Sequence, residues 1–231
     1  MTMINATTTS QAIRLKKHQS NSIEKKSPFD IQLTPLGGRK RNDIEAFIKQ
    51  GFAKAYDAKI SITAPYLLSL SNGNFKAALG FRPGQDNLFL EQYLSSTIEQ
   101  QGVFIENNVK RQEIVEVSHL FSNAKRFTIP LFMVTAVSLF YLNYKYMVFS
   151  GTETVVNLIA NTGVPVTFIC NAEQDKIQTS NDDWGSYYSS NPKIVSVSLA
   201  EVMSVIAKHP KYSKMFQSLE GQIAKVCQQY P

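Results

Sequence analysis

The stretch RQEIVEVSHLFSNAKRFTIPLFMVTAVSLFYLNYKYMVFS, residues 111–150, decides the fold. Over 113–120 polar groups sit among Val, Ile and Leu, and successive side chains of an extended run alternate faces, so a strand is expected. The polar break SNAK follows. Residues 125–143 are then almost wholly apolar, too long for a strand, and read as a helix. Residues 146–150, YMVFS, form a second strand. Strand, helix and strand at this spacing lay the helix on a sheet. Between Arg126 and Lys145 lie 18 uncharged residues. That reaches the lower limit for a membrane span. Thr128, Pro130, Thr135, Ser138 and Asn143 interrupt the run, so a helix buried between the sheet and other helices is expected, with a span as the alternative.

Upstream, a helix is expected from Arg41, capped by Asn42, with Ile44, Phe47, Ile48, Phe52 and Ala55 on one face. Residues 59–64 alternate until Pro65. The runs 67–70 and 75–81, joined by SNGN, read as a hairpin. The apolar run 88–94 suits a strand end or the start of a helix reaching about Gln101. Downstream, a helix over 154–161 stops at Gly163. Strands are expected at 164–170 and 193–197, and helices at 199–208 and 214–226. The fold class is therefore α/β or α+β: one domain over 39–200 with a mixed, twisted sheet flanked by helices, plus a helical extension over 201–231.

The charge is uneven. The chain's net +6 comes entirely from residues 1–41, and the remaining residues are balanced. Residues 1–38 are polar and read as a basic, partly disordered arm. Anionic lipid, an acidic carrier protein or RNA would suit residues 14–41, and a solvated tail needs no partner. A neutral body excludes a specific nucleic-acid-binding domain, which would carry a basic face. Cys170 and Cys227 are the only cysteines, so neither a disulfide framework nor a zinc site is indicated. The first residues lack the apolar core of a secretory signal, and a cytoplasmic protein is expected.

A few polar residues stand where apolar ones belong. Glu116, between Val115 and Val117, needs a partner or a raised pKa if it is buried, and either suits a base or a substrate anchor. A carboxylate bonded to loop backbone or to an Arg explains it equally well. Alternation places Ile114, Glu116, Ser118 and Leu120 on one face, with Val115, Val117 and His119 on the other. His119 is a candidate base or phosphate contact, although a lone His is more often structural. The amides of Asn123, Lys125 and Arg126 at the helix start suit an anion such as a pyrophosphate, but so does an ordinary cap by Ser122 or Asn123. Glu91 and Gln92 interrupt LFLEQYL beside Tyr93, and Arg82 or Arg111 would pair with Glu91. Trp184, Tyr187 and Tyr188 in WGSYY either wall an apolar pocket or cover a sheet edge.

Four blocks in order carry a family resemblance: AALGFR, LFLEQYL with the following Ile98 and Glu99, RQEIVEVSHL, and DWGSYY before a Pro-led strand. Together, over about residues 41–200, they resemble the bacterial thermostable hemolysin family. The resemblance implies a GNAT-like acyltransferase fold close to acyl-homoserine-lactone synthases. Gly80 and Arg82 look like a Gly-x-x-Arg strand end of those synthases, one residue closer together. Glu116, Ser118 and His119 look like their Glu-x-Ser-Arg strand, with His in place of Arg. Ser118-His119 also replaces the Gly-Asn usual in the hemolysin family, and SNAK replaces the Gly-rich turn on which GNAT enzymes hold a CoA pyrophosphate.

Two functions follow as expectations. The first is acyl transfer from acyl-CoA or an acyl carrier protein to an amine or other small nucleophile, with no tightly bound cofactor. Glu116 is then the base, with Ser118 and His119 beside it; Val117 and its neighbours hold the acyl carbonyl; Arg82 and Glu91 position the acceptor. The second is membrane lysis, motivated by the basic arm and the apolar run. A GNAT-like domain that binds an acyl ligand without catalysis is a third possibility.

Overall fold

The hairpin expected from SNGN is β2 (Tyr66–Asn72) and β3 (Asn74–Pro83), turning at Gly73, whose φ of 73° costs glycine little. The computed structural model describes residues 27–178 and 182–231. Next to β3 lies β4 (Ile114–Ser122), then β5 (Tyr146–Gly151). These two run parallel, joined by the helix α3 (Lys125–Tyr141). The strand–helix–strand reading is thus borne out. Strands β7 (Lys193–Ser198) and β6 (Thr167–Asn171) complete one side, and β1 (Asp30–Pro35) the other, in the order β1-β2-β3-β4-β5-β7-β6. All named pairs except β4–β5 are antiparallel.

Helix α3 is buried on nearly every side from Phe127 to Leu139. The sheet covers one side of it. On the other lie α5 (Leu199–Lys208) and α6 (Pro210–Gln229). That two-sided cover accounts for the apolar run without a bilayer. No helix among the described residues is long and apolar enough to cross a membrane. On the opposite face lies α1 (Arg41–Tyr56). The short α2 (Gly102–Glu106) and 3-10 turns at Phe89–Tyr93 and Ile98–Gln100 cover the rest of that face. The run 88–94 is therefore a 3-10 turn, neither strand nor α-helix. Helix α4 (Glu153–Ala160) follows β5.

Several expectations change. Residues 30–35, read as arm, form an edge strand with Ile31 and Leu33 in the core. Its amides are satisfied from α6: Ile31 N–H donates to Gln222 Oε1 at 3.0 Å and Leu33 N–H to Gln229 Oε1 at 3.1 Å. This protects an edge that would otherwise offer free donors. Helices α5 and α6 are accordingly part of the main core, through Val202, Leu219, Ile223 and Val226, and not an extension. Asn42 does not cap α1. It is exposed inside the helix, which starts after Lys40 in the left-handed region at φ 67°. Arg41, counted in the basic arm, is 4% exposed and spends its guanidinium on Glu45 and the Ala64 and Pro65 carbonyls. Arg14, Lys16, Lys17, Lys25 and Lys26 lie outside the described residues. Residues 59–64 form no strand, only an isolated bridge between Lys59 and Asp183.

Candidate functional site

Strands β4 and β5 pair only from Ile114 with Tyr146 to Val117 with Phe149. Beyond that, β4 continues beside β3 and β5 beside β7, so the two part company. A cavity of about 80 Å³ fills the gap. Its walls are mostly apolar: Val117 and Leu120 from β4, Phe149 from β5, Phe132 from α3 and Val155 from α4. Glu116, Ser118, His119, Tyr93, Trp184 and Tyr187 also line it.

A bulge places His119 there. Ala78 pairs with Phe121 and Gly80 with Ser118, so Leu79 alone stands opposite both His119 and Leu120. His119 is the inserted residue and sits at φ 53°. The alternation expected along β4 therefore fails after Ser118. Leu120 turns to the α3 core and Phe121 to α1, while His119 joins Glu116 and Ser118 on the cavity side. Its Nδ1 lies 2.9 Å from Ser118 Oγ. Burial pushes its pKa down to about 4, against the opposing charge of Asp182, so the ring is neutral at pH 7. Gly80 is required beneath Ser118: a Cβ there would meet Ala64 Cβ at 2.5 Å. The 59–65 segment can lie on β3 only because that side chain is missing.

Glu116 is 3% exposed. Its Oε2 accepts the Phe89 amide at 2.9 Å and its Oε1 the Leu90 amide at 2.8 Å. It thus ties the 89–93 turn to the sheet, the bonding to loop backbone that the sequence left open. Burial raises its pKa to about 7, although the two amides and the Arg82 charge pull the other way. At neutral pH it is poised between forms. Each oxygen has accepted one amide and retains a lone pair.

A second, polar cavity of about 600 Å³ adjoins the first and shares Phe89, His119 and Trp184 with it. Ser61, Thr63, Arg82, Gln92 and Asp182 line it. Arg82 stands opposite Glu116 in the strand register. Its guanidinium is fixed by the Asn87 carbonyl at 2.7 Å and the Thr63 carbonyl at 2.6 Å. Asp182 accepts the Ser61 amide at 2.9 Å.

Glu91 lines neither cavity. Arg111 grips it with both terminal nitrogens, Nη2 at 2.9 Å, and holds Glu99 at 2.9 Å as well. Burial raises the Glu91 pKa, but the Arg111 hydrogen bonds and the Ile98 amide outweigh it and hold the carboxyl below the usual range. Of the two partners expected, Arg111 is the one that bonds Glu91.

The WGSYY segment packs inward. Trp184 and Tyr187 join Phe52 of α1 in one cluster. Gly185 allows this at φ 51°, because Ser186 N–H reaches the Tyr56 carbonyl at 2.8 Å and a Cβ on Gly185 would collide with that carbonyl. Tyr187 OH lies 3.1 Å from Ser150 Oγ, and Tyr188 OH 2.5 Å from Tyr93 OH. Trp184 and Tyr187 wall the apolar cavity, and Tyr188 lies outside it, near the end of the edge strand β6. Trp184 Nε1 is buried without an acceptor among the described residues.

The start of α3 stays apart from both cavities. Asn123 bonds the Phe75 carbonyl, and Lys125 and Arg126 are exposed. Ala124 occupies the cap position with no side-chain cap, so neither Ser122 nor Asn123 serves. Sequence reasoning missed Phe132, Thr63 and Asp182. Phe132 is one apolar residue in an apolar helix, and the other two reach the site only through long-range docking of loops.

No curated protein matches the sequence. Among solved structures, the AHL synthase LasI superposes with a TM-score of 0.51 at 10% identity, covering 74% of this chain and 90% of LasI. FeeM, an N-acyl amino acid synthase from uncultured soil microbes, gives 0.51 at 11%, covering 80% and 99%. BjaI, a CoA-dependent acyl-homoserine lactone synthase solved with SAM and isopentyl-CoA, gives 0.51 at 10%, covering 78% and 89%. At such identities the likeness shows that this chain shares their fold, and nothing more. The thermostable hemolysin family model matches residues 36–203, most of the 231-residue chain, and the protein belongs to that family.

Proposed function

We propose that this protein transfers an acyl group from a thioester, carried by CoA or a carrier protein, to the amine of a small polar acceptor. The observation that carries the reading is the meeting of an apolar and a polar cavity at one wall, beside a buried carboxyl poised near neutrality. The acyl chain occupies the apolar side. The acceptor occupies the polar side, where Arg82 and Asp182 supply one charge of each sign. The amine nitrogen attacks the thioester carbonyl carbon, the C–N bond forms, the C–S bond breaks and the thiol leaves. Glu116, directly or through a water, takes the proton the amine loses, and the departing sulfur is protonated in turn. Backbone N–H groups of β4 beyond Val117, no longer committed to β5, and the Trp184 indole N–H are donors for the developing oxyanion.

Trp184 is the single tryptophan, so its fluorescence reports occupancy directly. CoA, medium-chain acyl-CoAs and an acylated carrier protein are titrated against the protein, with native mass spectrometry and melting temperature alongside. An acyl thioester that binds and changes the emission supports the reading, and an amine panel then identifies the acceptor. Glu116→Gln should cut turnover about 10²–10⁴-fold while the fold persists. Full turnover in Glu116→Gln would remove the base, and no binding of any thioester would remove the enzyme.

The family's description also points to membrane lysis. Here the apolar run 127–144 is consumed by the core. Leakage of dye from anionic liposomes at micromolar protein tests that reading, and intact vesicles end it.

A further inference from the structure

The apolar cavity is small. A site of about 150 Å³ is what holds one benzene, and this one offers about 80 Å³. As it stands it accepts only a few carbons of an acyl chain. Phe132 forms part of its wall, is 6% exposed and meets Phe149 edge to face at 5.6 Å.

Behind Phe132 lies a second apolar groove of about 40 Å³, between α3, the end of α4, and α5. Ile129, Met133, Ile159, Val202, Val205 and Ile206 are among its lining residues, and none of the described residues that line it is charged. Among the described residues Phe132 is the one that lines both spaces. An aromatic ring between two apolar voids is a partition that one side-chain rotation removes. The occupant that fits both halves is the hydrocarbon tail of a single ligand whose reactive end lies at Glu116.

We infer that Phe132 sets the acyl-chain length: short chains stop against it, and longer ones displace the ring and place their distal methylenes in the groove at Val202, Val205 and Ile206. This rests on the acyl-transfer reading, since it supplies the chain whose length is measured.

The test uses the full chain with butyryl-, octanoyl- and dodecanoyl-CoA, read by Trp184 fluorescence and native mass spectrometry. The wild type should favour butyryl-CoA. Phe132→Leu and Phe132→Ala should shift the preference toward dodecanoyl-CoA by about tenfold or more, with Phe132→Leu as the variant less disturbing to the core. Adding Val205→Phe to Phe132→Leu fills the groove from its half-buried rim and should restore the short-chain preference. Binding of acyl-CoAs with a profile that Phe132→Leu leaves unchanged overturns the inference and leaves acyl transfer standing. A shifted profile that Val205→Phe fails to reverse overturns the groove as the destination. Absence of binding by every chain to every variant overturns both the inference and the reading beneath it.

Discussion

The two faces of the sheet solve the same packing problem differently. Under α3, α5 and α6 one apolar cluster extends from Ile31 on the edge strand to Val226 near the C-terminus. The other face carries two smaller clusters, one beneath α1 and one beneath the 3-10 turns. All three meet at the cavity that holds Glu116 and His119. Apolar packing is non-directional and tolerates rearrangement. The site face instead relies on directed contacts: Glu116 on two amides, Arg82 on two carbonyls, and Ser186 on the Tyr56 carbonyl. Such contacts forgo area burial and fix positions closely, as a reacting geometry demands.

The strongest way to break this contrast is Gly185→Ala. The methyl group has no space against the Tyr56 carbonyl and stands 2.8 Å from that of Asp57, at a φ of 51°. A loss of about 4 kcal/mol or more is expected, together with quenching of Trp184's response to ligand. The control on the other face is Leu131→Ala, at a position fully buried in α3. It should cost about 3 kcal/mol and leave ligand affinity unchanged. Chemical denaturation and fluorescence titration measure both. Equal loss of affinity in the two variants would abolish the distinction between faces.

The same contrast governs what the sequence reveals. The apolar face was legible because its signals are local: the 125–143 run by its length and unbroken apolarity, the hairpin by its turn, and the C-terminal helices by their period. Glu116 was legible as a carboxylate where an apolar residue belongs. His119 was assigned to the wrong face because a bulge adds one residue without any glycine to mark it. The strand at Asp30–Pro35 was missed because only Ile31 and Leu33 alternate before Pro35, and its edge is satisfied by Gln222 and Gln229 from nearly two hundred residues away. The inward packing of WGSYY rests on a loop-to-loop approach that no local pattern encodes.

The next effect concerns pH. Glu116 has its pKa raised from 4.5 to about 7 and His119 has its lowered from 6.5 to about 4. Between pH 4.5 and 7 folded Glu116 holds a proton that the unfolded chain releases, so its contribution to stability falls as pH rises. Between pH 4 and 6.5 the unfolded chain protonates His119 and the folded protein does not, so that contribution rises with pH. Each amounts to about 3 kcal/mol, from 1.4 kcal/mol per pH unit. In the wild type they oppose one another from pH 4.5 to 6.5, and stability there is nearly level. Glu116→Gln should therefore leave a profile that climbs through this window. His119→Asn, which suits the left-handed backbone, should leave one that falls. Parallel profiles in the two variants would show that neither group is held as the cavity geometry implies.

The smallest effect separates two glutamates that look alike in sequence, each interrupting an apolar run. Glu91 has Arg111 and Glu116 has only amides within bonding distance. The Glu91–Arg111 pair is only partly buried, with side chains 20% and 25% exposed, so solvent screening limits its worth. Glu91→Gln should cost about 1–2 kcal/mol and leave acyl-thioester binding and turnover intact. The stability that Glu91 contributes is present above the ordinary carboxylate pKa and is lost as pH falls through its depressed folded value. Glu116→Gln should show the reverse pattern, with turnover lost and the melting temperature at pH 7 little changed, because the N–H left facing the Gln NH2 costs about as much as is gained by no longer burying an ionisable carboxyl. A cation beside a carboxylate fixes its charge, whereas burial against amides leaves the proton free to move. If Glu91→Gln instead abolished turnover while the protein stayed folded, the Arg111 pair would belong to the site, and the boundary between scaffold and chemistry would have to be redrawn around the 89–93 turn.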